Sequence, residues 1–438
     1  MRSYMSALKA VEEAGGKAWL VGDTARMIAM GLQPDVLSMV TESCGPEALA
    51  ARLGNGTVGT VGGFPVLRAE VLDMPIEVAL LQGGSIEEDL ARRDFSMNAI
   101  AFRSDWGVVD PFGGRHDIRN RVVRLTGDDI ELVRRDPLRI VRMLRFAAEL
   151  SMDIFWKTET DVRTFIEANP GLIRNTAPER WGREILGGMR GCPHDFVRLC
   201  DGYHLFPLFL PELEELKDIV EPRTGLTLFE HALATLRVVQ DRLRVRKIKE
   251  NDAFALAGLF CRVGTKSLDV GDPRPVADLA SQYLRRWNIP ADTADRVSAI
   301  IMNYRSLHAP RTEEELCGDV LRYGREAVSM MLEFASCSAL AERFPSIDIV
   351  KGNRWRLEQV LRRFASTERQ MDGSDRFLTG GDVMDLLKLV PGRKVGEILN
   401  GLDMAGLQPV RGRGLGAAPW KRFLTWKRFL TWKRFLIP

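Results

Sequence analysis

Cysteine is sparse and shows no pairing pattern. The six residues, Cys44, Cys192, Cys200, Cys261, Cys317 and Cys337, include no CxxC. That excludes a zinc ribbon or a redox dithiol read from spacing and fits reduced structural thiols in a cytoplasmic setting. Histidine is scarcer: five residues in 438, none close to another at metal-ligand spacing. No run of about 20 apolar residues occurs, so no membrane-spanning helix is expected. The opening MRSYMSALKAVEEAGG lacks the apolar core of a secretory signal. GxSxG and P-loop patterns are absent, and the glycine-rich VGTVGG (58–63) lacks the lysine and helix start of a phosphate loop. Acidic residues are missing from Arg411 to Pro438, which carry eight basic ones. The overall charge of +3 therefore hides 54 basic against 59 acidic residues in 1–410, a net of −5. A nucleic-acid role needs local basic patches rather than a global field.

What remains is ordinary globular material, 45 % hydrophobic and 28 % charged, long enough for about three domains. KAWLVG (17–22) and DVLSMVT (35–41) read as strands. ARMIAMG (25–31) and PEALAARLG (46–54) read as helices stopped by glycine. TVGTVGGFPVLRAEVL (57–72) and PIEVALL (75–81) read as further strands. Beyond about residue 125 strand signals vanish, and apolar residues recur at helical spacing to about residue 405. The expected class is α+β: a small mixed-sheet head followed by an elongated all-α portion. At the end WKRFLT is repeated (420–425, 426–431, then WKRFL) with a six-residue period that does not match a helix. It reads as a tandem duplication, with an adhesive segment for RNA or anionic membrane as the competing reading.

Three segments concentrate chemistry: SIEEDLARRDFSMNAIAF (85–102), VVDPFGGRHDI (108–118) and VRRDPLRIVRMLRFAAEL (133–150). An arginine such as Arg93 can clamp a triphosphate bidentately, and an adjacent carboxylate can orient it or accept a ribose hydroxyl. DPFGG supplies a turn in which backbone can approach closely. Arg139, Arg142 and Arg145 recur every three residues along one helix, a row suited to phosphate or a base edge, or else to ion pairs on a solvated face.

Together these segments resemble the class II tRNA nucleotidyltransferase and bacterial poly(A) polymerase family. RRDFSMNA is similar to its RRDFTxNA motif, and RDPLRIVRMLRF to its EDxLRxxRxxRF base-reading motif. APERWGREIL (177–186) and FLTGGDVMDLLKLVPGRKVGEILNGL (377–402) are similar to its later motifs, in family order. The resemblance implies a nucleotidyltransferase head (1–125), a helical neck that reads the base (126–190), a helical body (191–350) and a tail (351–438). It implies RNA, foremost the tRNA 3′ end, as partner, with ATP and also CTP as nucleotides, magnesium as cofactor, and no membrane. Gly22, Arg26, Arg93, Asp94 and Asn98 would lie at triphosphate and ribose, and Asp136, Arg139 and Arg142 at the base.

The departures are concentrated in one place. Anchored on Gly22, Arg26, Gly31 and Thr41, the second glycine of the family's GGxxRD…DxD pattern falls on Asp23, the aspartate of its RD on Met27, and its two metal-binding aspartates on Val36 and Ser38. Asp35 stands one residue early, and a one-residue slip turns a strand side chain to the other face. The strand's third acid is present as Glu77, the arginine that ends it becomes Gln82, and the acid opening the base-reading motif becomes Arg135. Asp35 and Glu77 are thus the candidate catalytic and metal-binding residues, and one carboxylate does not hold two magnesium ions in the usual way. Two readings follow: a nucleotidyltransferase with weakened catalysis, or an inactive RNA-binding pseudoenzyme. The body resembles a phosphohydrolase domain whose histidine–aspartate pair is replaced by Cys261 and Arg262, leaving His231 as a structural histidine and no phosphohydrolase activity.

Overall fold

A computed structural model describes residues 2–61, 63–221, 224–246, 252–265, 272–341 and 347–371. The 377–402 motif and the WKRFLT repeats lie outside the described residues. The chain forms two compact units, Met1–Gly188 with Arg198–Phe209, and Met189–Val197 with the chain from Leu210 onward.

The first unit is built on a seven-stranded mixed sheet. Its strands are β1 (Ala18–Val21), β2 (Leu37–Thr41), β3 (Thr57–Val61), β4 (Phe64–Val71), β5 (Met74–Leu80), β6 (Ala101–Phe102) and β7 (Val108–Val109). They are ordered β3-β4-β5-β2-β1-β6-β7, with only β2 and β5 parallel. Around them run α1 (Arg2–Gly15), α2 (Gly22–Ala29), α3 (Pro46–Leu53), α4 (Ile86–Ala91) and α5 (Gly114–Asn120). The glycine stop expected after the third helix is present: Gly54 takes a left-handed φ of 72° and its N–H caps the Ala50 carbonyl.

Register assigns the two faces. Leu20, Met39, Val78 and Leu67 stand side by side across four strands and are buried with Leu8, Val11 and Leu49 beneath α1 and α3. The alternate residues Trp19, Val21, Val40 and Ala101 pack with Ile86, Leu90 and Ala99 on the opposite face. That second face carries the polar residues discussed below.

Two boundaries differ from expectation. The strand expected over 35–41 begins at Leu37, so Asp35 and Val36 lie in the bend before it. Thr24 on α2 accounts for this. Its hydroxyl donates to the Val36 carbonyl at 3.0 Å and accepts the Ser38 N–H at 2.8 Å, tying the approach to α2 rather than to a neighbouring strand. The helical stretch also contains strand: β8 (Val122–Val123) pairs in parallel with β9 (Asp153–Ile154). Two-residue strands carry no readable periodicity, which is why the sequence concealed them.

After the sheet come α6 (Glu131–Arg135), α7 (Leu138–Leu150), α8 (Trp156–Ala168) and α9 (Pro170–Arg174). Then come α10 (Pro178–Gly191), α11 (Pro193–Gly202), α12 (Phe206–Phe209) and α13 (Pro211–Glu214). The second unit is helical: α14 (Leu228–Arg246), α15 (Asp252–Phe260), α16 (Arg274–Arg286), α17 (Ala291–Asn303), α18 (Glu313–Tyr323), α19 (Arg325–Ala341) and α20 (Ile347–Met371). Helix α15, DAFALAGLF, is buried all round from Ala253 to Phe260, as an apolar helix without a polar face must be. Among the described residues no helix is long and apolar enough to cross a membrane.

Candidate functional site

The second sheet face carries Ser38 and Glu77 in one row. Ser38 on β2 pairs with Glu77 on β5, and Glu77 pairs with Arg68 on β4. One step beyond the last β1–β2 pair, Val21 stands opposite Ser38. The row therefore reads Val21, Ser38, Glu77, Arg68, at about 4.8 Å per strand. The Glu77 carboxylate is not open: Arg68 Nε donates to its Oε1 at 2.8 Å, with the two side chains 53 % and 38 % exposed.

Asp35 and Glu77 are not brought into one side-chain row. Asp35 is exposed in the bend and out of step with Ser38, while Glu77 sits mid-strand and bonded to Arg68. The other acid near the glycine loop, Asp23, is engaged by Arg26 at 2.6 Å. Among the described residues no three His, Cys, Asp or Glu side chains gather as a metal would require. A two-magnesium centre needs several anionic oxygens converging on each ion. The row offers one hydroxyl and one carboxylate already neutralised by a guanidinium, so these residues do not fit the metal pair implied by the resemblance.

Beside the row stands the glycine loop. Gly22 takes the left-handed φ of 61° that favours glycine, and the Arg93 guanidinium lies close against it, 2.9 Å from where a Cβ would stand. Arg93 is held by buried Asp89, through Nη2 at 2.8 Å and Nε at 3.2 Å. Asp89 also accepts the Gln82 N–H at 2.9 Å, anchoring the end of β5.

From here a continuous polar chain runs into the neck helix. Arg26 bridges Asp23 and Asn98, and its guanidinium lies 4.6 Å from the Phe146 ring centre. Asn98 donates to Asp94 at 2.8 Å. Asp94 also accepts the Phe95 N–H at 2.9 Å and Arg142 Nη1 at 3.1 Å. Arg142 pairs with Glu184 at 2.7 Å, Glu184 with Arg145 at 3.0 Å, and Arg145 with Glu149 at 3.2 Å. Burial opposes the charge on Asp94, but Arg142, Asn98 and Arg139 overcome it and hold the carboxyl below its usual range. Burial likewise opposes the charge on Arg142, and Glu184 and Asp94 more than restore it. Glu149 goes the other way: burial raises it despite Arg145.

Asp136 and Arg139 stand where α6 meets α7. Asp136 is held by Arg180 at 2.9 Å. Arg139 donates through Nη2 to the Arg92 carbonyl at 3.0 Å, while its Nε and Nη1 are buried and without a partner. Burial, set against the attraction of Asp94 and Asp136, lowers its affinity for the proton. Two bare guanidinium donors beneath the surface are costly unless a ligand supplies acceptors.

DPFGG braces this arrangement. Asp110 accepts the Gly114 and Arg115 N–H groups at 2.6 and 3.0 Å, and a Cβ at Gly114 would collide with the Ser96 carbonyl. The structure thus brings together Gly22 and Arg93, and separately Arg26, Asn98, Asp94 and Arg142, next to Asp136 and Arg139. Sequence reading missed Arg68, Asp89, Arg180 and Glu184. The last two sit in APERWGREIL, so the motif signalled the segment without signalling their partners.

In the second unit Cys261 is a buried thiol that donates to the Gly258 carbonyl at 3.4 Å, and His231 is 2 % exposed. His231 Nε2 lies 2.9 Å from both Glu221 and the Thr224 hydroxyl.

A mixed-sheet head followed by helices is the architecture of known tRNA-processing nucleotidyltransferases. The structure is similar to the crystal structure of Bacillus stearothermophilus CCA-adding enzyme in complex with CTP, with a TM-score of 0.56 at 23 % identity over 92 % of this chain and 91 % of that one. The poly A polymerase head domain profile matches residues 66–124. The A-adding tRNA nucleotidyltransferase of Deinococcus radiodurans is 31 % identical over 339 residues, 73 % of this chain and 75 % of the relative. The CCA-adding enzyme of Streptococcus pyogenes is 26 % identical over 421 residues, covering 91 % and 90 %. The chain belongs to the class II CCA-adding tRNA nucleotidyltransferase family.

Proposed function

We propose that this protein binds a nucleoside triphosphate and the 3′ end of RNA, foremost tRNA, through its head and neck, and that its nucleotidyl transfer is weakened. The observation that carries this is the contrast within one site. Arg139 presents two buried donors with no partner, and Arg93 lies against Gly22, so base and triphosphate have places to bind. Val36 and Ser38 replace the carboxylate pair, and Glu77 is bonded to Arg68. In this reading Arg93 faces the triphosphate, Asp94 and Asn98 keep the ribose side in shape, and Asp136 and Arg139 face the base. Arg26 and Arg142 act from within the polar chain as positioning residues. The division into head (1–125), neck (126–190), body (191–350) and tail (351–438), and a cytoplasmic setting, belong to the same reading. Relatives named as A-adding and CCA-adding make AMP, or CMP and AMP, the transferred groups.

The test is incorporation of labelled ATP and CTP into tRNA lacking its 3′ end, comparing wild type with Val36→Asp/Ser38→Asp. Each restored carboxylate is worth several kcal/mol, and each 1.36 kcal/mol is about tenfold in rate, so the double variant should exceed wild type by about a hundredfold or more. Equal rates in the two proteins would overturn the weakened-catalysis reading. The alternative, an inactive RNA-binding pseudoenzyme, is favoured by the Arg68–Glu77 ion pair. It predicts no wild-type incorporation alongside retained tRNA binding.

A further inference from the structure

The row across the second sheet face does more than lack carboxylates; it contains a cation. Arg68 stands in register with Glu77, two strands from Ser38, on the face shared by Val21 and the start of the glycine loop. Its guanidinium is tied to Glu77 at 2.8 Å and is 53 % exposed. An ion pair of this exposure is weak and exchangeable. On the same face Arg93 lies against Gly22. The polyphosphate of a free nucleoside triphosphate carries about four negative charges, which magnesium normally halves. A guanidinium offers phosphate two parallel charge-assisted donors and needs no carboxylate to hold it in place. A divalent ion seated in this row would meet the Ser38 hydroxyl, a neutralised Glu77 and the positive charge of Arg68.

We propose that this face takes nucleoside triphosphate in its free form, without a divalent metal, with Arg68 exchanging Glu77 for the polyphosphate and supplying the positive charge that metal ions would bring. The proposal rests on the nucleotide-binding reading above, and its test separates the two.

The full chain is titrated with ATP and with CTP by calorimetry, once in excess EDTA and once in magnesium. Affinity in EDTA should equal or exceed that in magnesium. Arg68→Ala removes a charge-assisted contact to the ligand and should weaken binding in EDTA by about tenfold. Glu77→Gln releases Arg68 from its competitor and should tighten binding by about two- to fivefold. A gain of affinity cannot arise from a misfolded variant, so the second substitution guards the first. Binding that appears only with magnesium, or Arg68→Ala binding as tightly as wild type, overturns the proposal and leaves the nucleotide-binding reading standing. Absence of ATP and CTP binding under both conditions overturns both.

Discussion

The neck side and the sheet side of this site are built from the same residue types but resolve their charges differently. On the neck side Glu184 is buried and Asp94 is mostly so, each shared by more than one donor, while Arg139 keeps two buried donors without a protein partner. On the sheet side Glu77 is half-exposed and meets a single arginine through one of its two oxygens. Buried, multiply bonded pairs rigidify; exposed single pairs exchange. One half of the site is therefore a fixed polar frame. The other is a more adjustable surface whose one carboxylate is balanced by a guanidinium.

The comparison breaks most visibly at Glu184. Glu184→Ala leaves Arg142 and Arg145 without their shared partner and should cost about 3–5 kcal/mol, the range for breaking a buried pair. Hydrogen exchange along α7 should report it as lost protection. The same substitution logic applied to Glu77 should cost under about 1 kcal/mol. If the two variants unfold at the same urea concentration, the two halves are not energetically distinct.

Asp94 sharpens the contrast through pH. Its carboxyl is held below its usual range, so its stabilising contribution is complete above the unfolded value of about 3.9 and is lost as pH falls through the lower, folded value. Urea midpoints for wild type and Asp94→Asn should differ most from neutral pH down to about 4 and converge in stronger acid. A difference that grew on acidification would reverse the assignment.

A smaller effect is expected at Arg139. Arg139→Ala removes two donors that have no protein partner and one exposed bond to the Arg92 carbonyl, so stability should fall by no more than about 1 kcal/mol. ATP and CTP should bind about tenfold more weakly, since hydrogen bonds to charged groups are worth about 1.5–3 kcal/mol. A large loss of stability with unchanged affinity would make Arg139 a structural residue.

Much of this was legible in the sequence, for identifiable reasons. The proposed loss of the carboxylate pair rests on the spacing between Gly22, Arg26, Gly31 and Thr41, and spacing survives in a linear chain. The glycine stop at Gly54 is local and was legible too. Arg68 was invisible because its meeting with Glu77 depends on the β4–β5 register, a property of the hairpin rather than of either residue. The strand start at Leu37 depends on Thr24, twelve residues before the carbonyl it holds. Equal spacing of Arg139, Arg142 and Arg145 suggested one shared ligand. Packing against Glu184 and Asp94 instead gives the last two internal partners and leaves only the first with open donors. Period along a helix says which side chains share a face, and the opposing element decides what they do there.

The most direct measurement is manganese binding followed by electron paramagnetic resonance on the wild-type chain and on Val36→Asp/Ser38→Asp/Arg68→Ala. The account predicts that the wild type leaves manganese free in solution at concentrations where the triple variant binds it. Saturable manganese binding by the wild type that disappears in Glu77→Ala would contradict it.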